Sequence, residues 1–410
     1  MMEGRKEFQK ELLQIAVPVT LQCLMQSSFS VVVQVMTGQL GSSSIAGIGL
    51  GGKFASVYSV VIAAAASAAG IMIAQYIGKK DDEEAGRSFY TNLAVSLILV
   101  AVFTSLSMMM PYQILGLYTN DEAMVRKGVE YLRIYALGFL PVAVTSIFSV
   151  YLRCAGAAEV PLYAGIFASA ANTVLNYILI FGKAGVPAMG VRGAAWASVT
   201  AQLSGCILTV LFFFLLHRKN SWKIPFEIRM DKVHMKQYLV ILLPLLVCEF
   251  FWSLGENVYA SIYGHVGTKA FTAMTLTNPL QTLVMGALSG VSQAAGVMIG
   301  KRLGADDARS AYRDSKRLMY AGLACSILLS VLVIALNRYY VLIFDVEDDI
   351  RQMTRYVLVS YALVMPVKVQ NMILGGILRS GGKTTFVMFI DLVGTWIFWV
   401  PLGLSSAFAF

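Results

Sequence analysis

Few ionisable residues of this chain fall inside its apolar stretches, and those few are where chemistry must be sought. In LVCEFFWSLGEN, Glu249 stands five residues after Pro244. Glu256 follows seven residues later, about two helical turns on and close to the same helix face. Lys368 stands in MPVKVQN, two residues past Pro366, and Asp391 in FVMFIDLVGTW. A charge at the centre of a bilayer costs about 3 kcal/mol on insertion scales, so each needs a polar interior or a partner. A carboxylate in low dielectric attracts a proton, a metal ion or an organic cation, and these compete for it. Glu249, Glu256, Lys368 and Asp391 are therefore expected to form a site for cation or proton coupling, with Na⁺ held at Glu249 and Asp391. Lys368 would pair with Glu249 or Asp391 in one state and release it in another. The plainer alternative is a static ion pair of Lys368 with one acid, the other acid snorkelling. Glu130 and Arg133 lie close to the edge of an apolar stretch, nearer to water, and rank below these four.

Neutral polar residues give a second pattern. Gln22, Gln26, Ser27, Ser30 and Gln34 fall on one face of a helix, and Asn172 and Asn176 repeat an i, i+4 spacing. Gln26, Ser30, Gln34, Asn172 and Asn176 are expected to line a substrate cleft; hydrogen bonding between helices explains the same pattern equally well. Met (20 residues) and aromatic residues (11%) suit a promiscuous site for flat cations, although lipid-facing positions account for most of them. Arg153 and Arg379 fall at matching span ends, where capping of helix carbonyls is the simpler role. No HExxH, GxSxG or paired catalytic Asp motif occurs, and the five cysteines and three histidines form no metal spacing, so neither an enzyme nor a cofactor is expected.

These residues need elements to hold them. The 410 residues are 57% hydrophobic and 13% charged, with a mean hydropathy of +0.69, too few charges to cover a soluble protein. Apolar stretches of about 20 residues cross roughly 30 Å of hydrocarbon as helices. Eleven are expected, over 11–37, 45–77, 89–117, 128–152, 160–182, 193–217, 237–264, 270–300, 318–345, 354–378 and 384–410. Lys and Arg number 21 on the side of the N-terminus and 8 on the other, which predicts a cytoplasmic N-terminus. The formal net charge of +9 is explained by those loops without invoking nucleic acid. The charged start runs directly into the first span with no cleavage-site pattern, so no removable signal peptide is expected.

The chain also repeats itself. AAGIMIAQYIGKKDD (68–82) returns as AAGVMIGKRLGADD (294–307), and an offset of 226 superposes Pro18 on Pro244, Gly70 on Gly296 and LRCAG on LRSGG. A shared offset across several spans marks a tandem duplication. Six spans per repeat keep both copies in the same orientation, with a substrate site between them. The expected division is a lobe over 1–218, a cytoplasmic linker over 219–236 and a second lobe over 237–410. The sixth span of the first repeat has no counterpart within the sequence.

QSSFSVVVQVMTGQLG, AGIGLGGKF, YLRCAG, NTVLNYILIFG and GGILRSGG, in this order and spacing, resemble the MATE multidrug and toxin extrusion transporters over nearly the whole chain. The resemblance implies an all-α polytopic fold of two parallel six-helix bundles, here six plus five. It implies a monomer in the bacterial inner membrane that exports small organic compounds, often cationic, against Na⁺ or H⁺. Two positions depart from it. Val33 stands where many members carry Asp in the first span, and Asn176 where the fifth span often carries Asp, so the coupling acid is expected in the second half. A flippase for lipid or polysaccharide carriers shares the architecture, and an inactive transporter lacking its twelfth helix fits the departures.

Overall fold

The computed structural model of the chain describes residues 2–119, 121–183, 185–220, 232–342, 344 and 346–409. Every regular element among them is helical: α1 (Met2–Thr37), α2 (Ser42–Lys79), α3 (Asp82–Met109), α4 (Pro111–Gly116), α5 (Glu122–Tyr135), α6 (Phe139–Cys154), α7 (Glu159–Phe181), α8 (Gly190–Asn220), α9 (Lys232–Val266), α10 (Thr268–Gly304), α11 (Ala308–Leu342), α12 (Asp348–Ser380), α13 (Thr384–Val393) and α14 (Val400–Ala409). A 3₁₀ turn, Ala136–Gly138, runs α5 into α6, and a π turn, Gly394–Trp399, runs α13 into α14. Counting each of these pairs as one span, the described residues hold eleven helices long and apolar enough to cross a bilayer, the number hydropathy predicts.

The helices start earlier than hydropathy indicates, because polar residues cap them. α3 begins at Asp82, where Asp81 Oδ1 accepts the Glu84 N–H at 3.1 Å. α5 begins at Glu122 under Asp121, which accepts from Ala123 and Met124 at 3.0 and 3.1 Å. α11 begins at Ala308, with Asp307 accepting the Ser310 N–H at 2.9 Å. That bond holds the Asp307 carboxyl below the usual carboxylate range. Each acid satisfies orphan N–H groups and sits at the positive end of its helix.

Leu21–Tyr238 form one compact unit, and Met1–Thr20 with Leu239–Phe410 form the other. Helix α1 passes from one to the other two residues after Pro18. Of the expected linker 219–236, residues 221–231 lie outside the described residues. In the Leu21–Tyr238 unit, Tyr58 stacks on Phe139 with ring centroids 4.0 Å apart, and its hydroxyl donates to the Phe139 carbonyl at 2.6 Å. Small residues let backbones meet there: a Cβ on Gly51 would lie 2.8 Å from the Tyr131 ring, and one on Gly193 2.6 Å from the Leu179 carbonyl oxygen. Such contacts are what drive association where lipid is as apolar as the side chains. In the other unit, α10, α11 and α12 pack together through Ser292, whose hydroxyl donates to the Met372 carbonyl at 2.9 Å, and Gln370, which donates to the Met319 carbonyl at 2.8 Å. At the charged end of this bundle Asp314, with a side chain 3% exposed, is held by Arg302 at 3.3 Å and Arg317 at 3.2 Å. Arg302 also reaches Glu11 of α1 at 3.3 Å.

Candidate functional site

Two of the candidate acids, Glu249 and Asp391, lie at a seam between α9 and the last span. One face of α9, spaced 248, 251, 255 and 259, meets α13, the π turn and α14. Cys248 touches Asp391; Phe251 sets its edge on Trp396 with centroids 5.9 Å apart. A Cβ on Gly255 would lie 2.9 Å from Thr395 Cγ2, and one on Gly403 3.0 Å from the Tyr259 ring. The π turn has a local cause. Pro401 has no N–H to donate, and a proline ring crowds the carbonyl four residues back, here Ile397, within the widened turn.

Asp391 lies seven residues into α13, about 10 Å from its start at 1.5 Å per residue. Its Oδ2 receives two donors, the Cys248 thiol at 3.1 Å and Arg379 Nη2 at 3.3 Å. The same Nη2 lies 3.5 Å from Cys248 Sγ, so the three groups close a triangle. The side chains of Asp391 and Arg379 are each 27% exposed. Glu249, half-buried on the adjoining face of α9, lies where the charges of both Arg379 and Asp391 act on it, and it has no ion pair within 4 Å among the described residues.

The other expected residues are more dispersed. Glu256 is exposed on α9. Lys368 is exposed on α12 with Nζ 5.9 Å from the centre of the Tyr361 ring; the cation beside Asp391 is Arg379. Gln26, Ser30 and Gln34 form an exposed stripe on α1. Asn176 is fully buried in the Leu21–Tyr238 unit, where its amide donates to the Asn172 carbonyl at 2.8 Å and to Asn172 Oδ1 at 2.6 Å. Asn172 is half-buried.

The two participants that hydropathy missed are Cys248 and Arg379. The signal that finds Arg379 is the repeat. At the offset of 226, Arg153 matches Arg379, Gln22 matches Cys248, Cys23 matches Glu249 and Gly165 matches Asp391. The geometry repeats as well: Arg153 Nη2 donates to Gln22 Oε1 at 3.2 Å, and a Cβ on Gly165 would lie 3.2 Å from Gln22 Nε2. The Leu21–Tyr238 unit also holds a neutral network away from this cluster. Gln202 donates to the Tyr135 hydroxyl at 3.1 Å, and Tyr135 stacks on Tyr131.

A family model described as MatE matches residues 18–178 and again 244–404, at the offset that relates the repeats. "Probable multidrug resistance protein NorM" of Thermotoga maritima is 24% identical over 407 residues, covering 97% of this chain and 85% of that one. "Multidrug and toxin extrusion protein 2" of Oryctolagus cuniculus is 25% identical, covering 92% of this chain and 62% of that one. Among solved structures, an outward-facing conformation of a multidrug resistance MATE family transporter of the MOP superfamily superposes with a TM-score of 0.88 at 16% identity, covering 97% of this chain and 88% of that one. A MATE in complex with MaL6 gives 0.87 at 17% identity, covering 98% and 89%.

Proposed function

The chain belongs to the MatE family of membrane transporters, and from that membership we propose that it is a secondary active antiporter exporting organic, often cationic, compounds in exchange for Na⁺ or H⁺. The names of its relatives support the cargo class. The observation that carries the exchange is Glu249, an acid in an apolar span with no ion-pair partner among the described residues, beside the Asp391–Arg379 pair. An unpaired carboxylate in low dielectric must take up a cation or a proton. Inward-moving Na⁺ or H⁺ and outgoing cargo then compete for one negative charge. A protein with two access states is driven in one direction when the two ligands prefer different states.

In this reading Glu249 is the exchanging acid, and Glu256, two turns further along α9, is a second stop toward the other side of the bilayer. Lys368 tunes the field along α12. The neutral residues Gln26, Ser30, Gln34, Asn172 and Asn176 offer hydrogen bonds to cargo without fixing its charge. The protein works as a monomer in the bacterial inner membrane with its N-terminus in the cytoplasm.

The test is ethidium efflux from membrane vesicles under separately imposed Na⁺ and pH gradients. The parent chain is expected to respond to one of the two gradients. Glu249→Gln is expected to lower gradient-driven efflux at least tenfold, a loss of about 1.4 kcal/mol of coupling. Coupled export that persists unchanged in Glu249→Gln overturns the assignment.

A further inference from the structure

The acid beside Glu249 is already occupied. We propose that Arg379 is a tethered counter-cation that keeps Asp391 paired and out of ion exchange, leaving Glu249 as the one carboxylate of this cluster open to Na⁺ or H⁺. The inference rests on the export reading only for its purpose; its content is an ion count.

Three observations carry it. First, Asp391 Oδ2 already accepts from both Arg379 Nη2 and the Cys248 thiol, at 3.3 and 3.1 Å, so an incoming cation must displace a donor to reach that oxygen. Arginine keeps its charge at any physiological pH. Being attached to the chain, it competes at the effective concentration of a short tether, millimolar or more. Second, the groups that bear on one another here are Asp391 from α13, Arg379 from α12, and Cys248 and Glu249 from α9. With the thiol neutral, their formal charges sum to minus one, which one monovalent cation balances. Third, the arginine does not depend on the acid. In the other repeat Arg153 makes the corresponding bond to the side chain at the Cys248 register, Gln22, with Gly165 in place of Asp391. The cationic socket is common to both repeats, and Asp391 is a carboxylate placed into it.

The count can be made on purified full-length protein in detergent, with no drug present. Equilibrium binding of ²²Na⁺ gives one arm. Proton uptake in sodium-free buffer, followed with a pH indicator after an acid step and read as the excess over Glu249→Gln/Asp391→Asn so that all other acids cancel, gives the other. Counted over Glu249→Gln/Asp391→Asn, which leaves Glu256 in place on both sides of the difference, the expected pattern is one ion per chain in the parent and none in Glu249→Gln. It is one again in Glu249→Gln/Arg379→Gln, where Asp391 is released to bind. Glu249→Gln/Arg379→Lys, which keeps the charge, should stay at none; a purely structural arginine would not separate Lys from Gln in this way. Glu249→Gln/Arg379→Met, which keeps the apolar stem, serves as a second neutral form should the Gln variant fail to give a monodisperse protein. Two ions in the parent, one in Glu249→Gln, or none in both neutral double variants would overturn the proposal. Absence of ethidium export by the parent chain alongside the expected counts would sink the export reading alone. Intact export with the wrong counts would sink this proposal alone.

Discussion

Two acids in the same unit, Asp314 buried and Asp391 half-buried, are held differently, and the difference sets what each does. Asp314 is ringed by Arg302, Arg317 and Arg313 at 3.3, 3.2 and 3.9 Å, while Asp391 has one arginine. Asp314 thus has no charge left to offer and serves packing. Breaking a buried ion pair costs roughly 3–5 kcal/mol and an exposed one roughly 0–1 kcal/mol. The arginines around Asp314 are 28–60% exposed, so Asp314→Asn is expected to destabilise the protein by about 2 kcal/mol. A lowered unfolding midpoint in detergent, with ion counts unaltered, would bear this out; an unchanged midpoint would show that solvent already screens the ring. The sequence makes the candidate acids visible because a charge inside an apolar run stands out. It hides their partner. Arg379 is the penultimate residue of α12, where a count of apolar neighbours assigns it to a loop, and only its long stem brings the guanidinium back to Asp391 across the turn. Lys368, embedded in the apolar run and so the more conspicuous cation, sits on an exposed part of α12 instead.

At the scale of elements, the seam between α9 and the last span decides how firmly this cluster is set. Gly255 leaves room for Thr395, and a Cβ there would come within 2.9 Å of it, whereas Gly394 in the π turn has nothing within 4 Å of a Cβ position. Overpacking a tight contact costs roughly 1–3 kcal/mol, and replacing a helical glycine in open space is worth roughly 0.4–1 kcal/mol in the opposite direction. Gly255→Val should therefore lower the thermal midpoint, and Gly394→Ala should leave it equal or raise it. The reverse order would mean that the seam is loose. Apolar runs give the number of spans, but their edges come out late at α3, α5 and α11 because the first turn of each is acidic and capped by the preceding Asp. The π turn had no herald other than Pro401, since a proline inside an apolar run signals a distortion without specifying which kind.

At the scale of the molecule, the duplication is the best-written feature of the sequence, because an offset held across several spans survives substitution of most individual residues. The family match, falling once on each copy, follows the same offset. The compact units do not follow the copies residue for residue: the first 20 residues pack with Leu239–Phe410. Here Glu11 meets Arg302, and the Thr20 hydroxyl donates to the Ala287 carbonyl at 2.8 Å, side-chain matching that no repeat count contains. The Lys and Arg bias predicts that Lys80, in the turn after α2, and Lys183, just past α7, face opposite sides of the bilayer. In whole cells, Lys183→Cys should react with an impermeant maleimide and Lys80→Cys only after permeabilisation, in a background where the five native cysteines are replaced; the opposite result would invert the topology. Gly165 has a longer-term consequence. A single base change turns a glycine codon into one for aspartate or glutamate, so the first copy is one mutation from placing an acid beside Gln22, the side chain to which Arg153 donates. Duplication has thus left this lineage a spare berth, in which charge could be gained or lost without rebuilding either half.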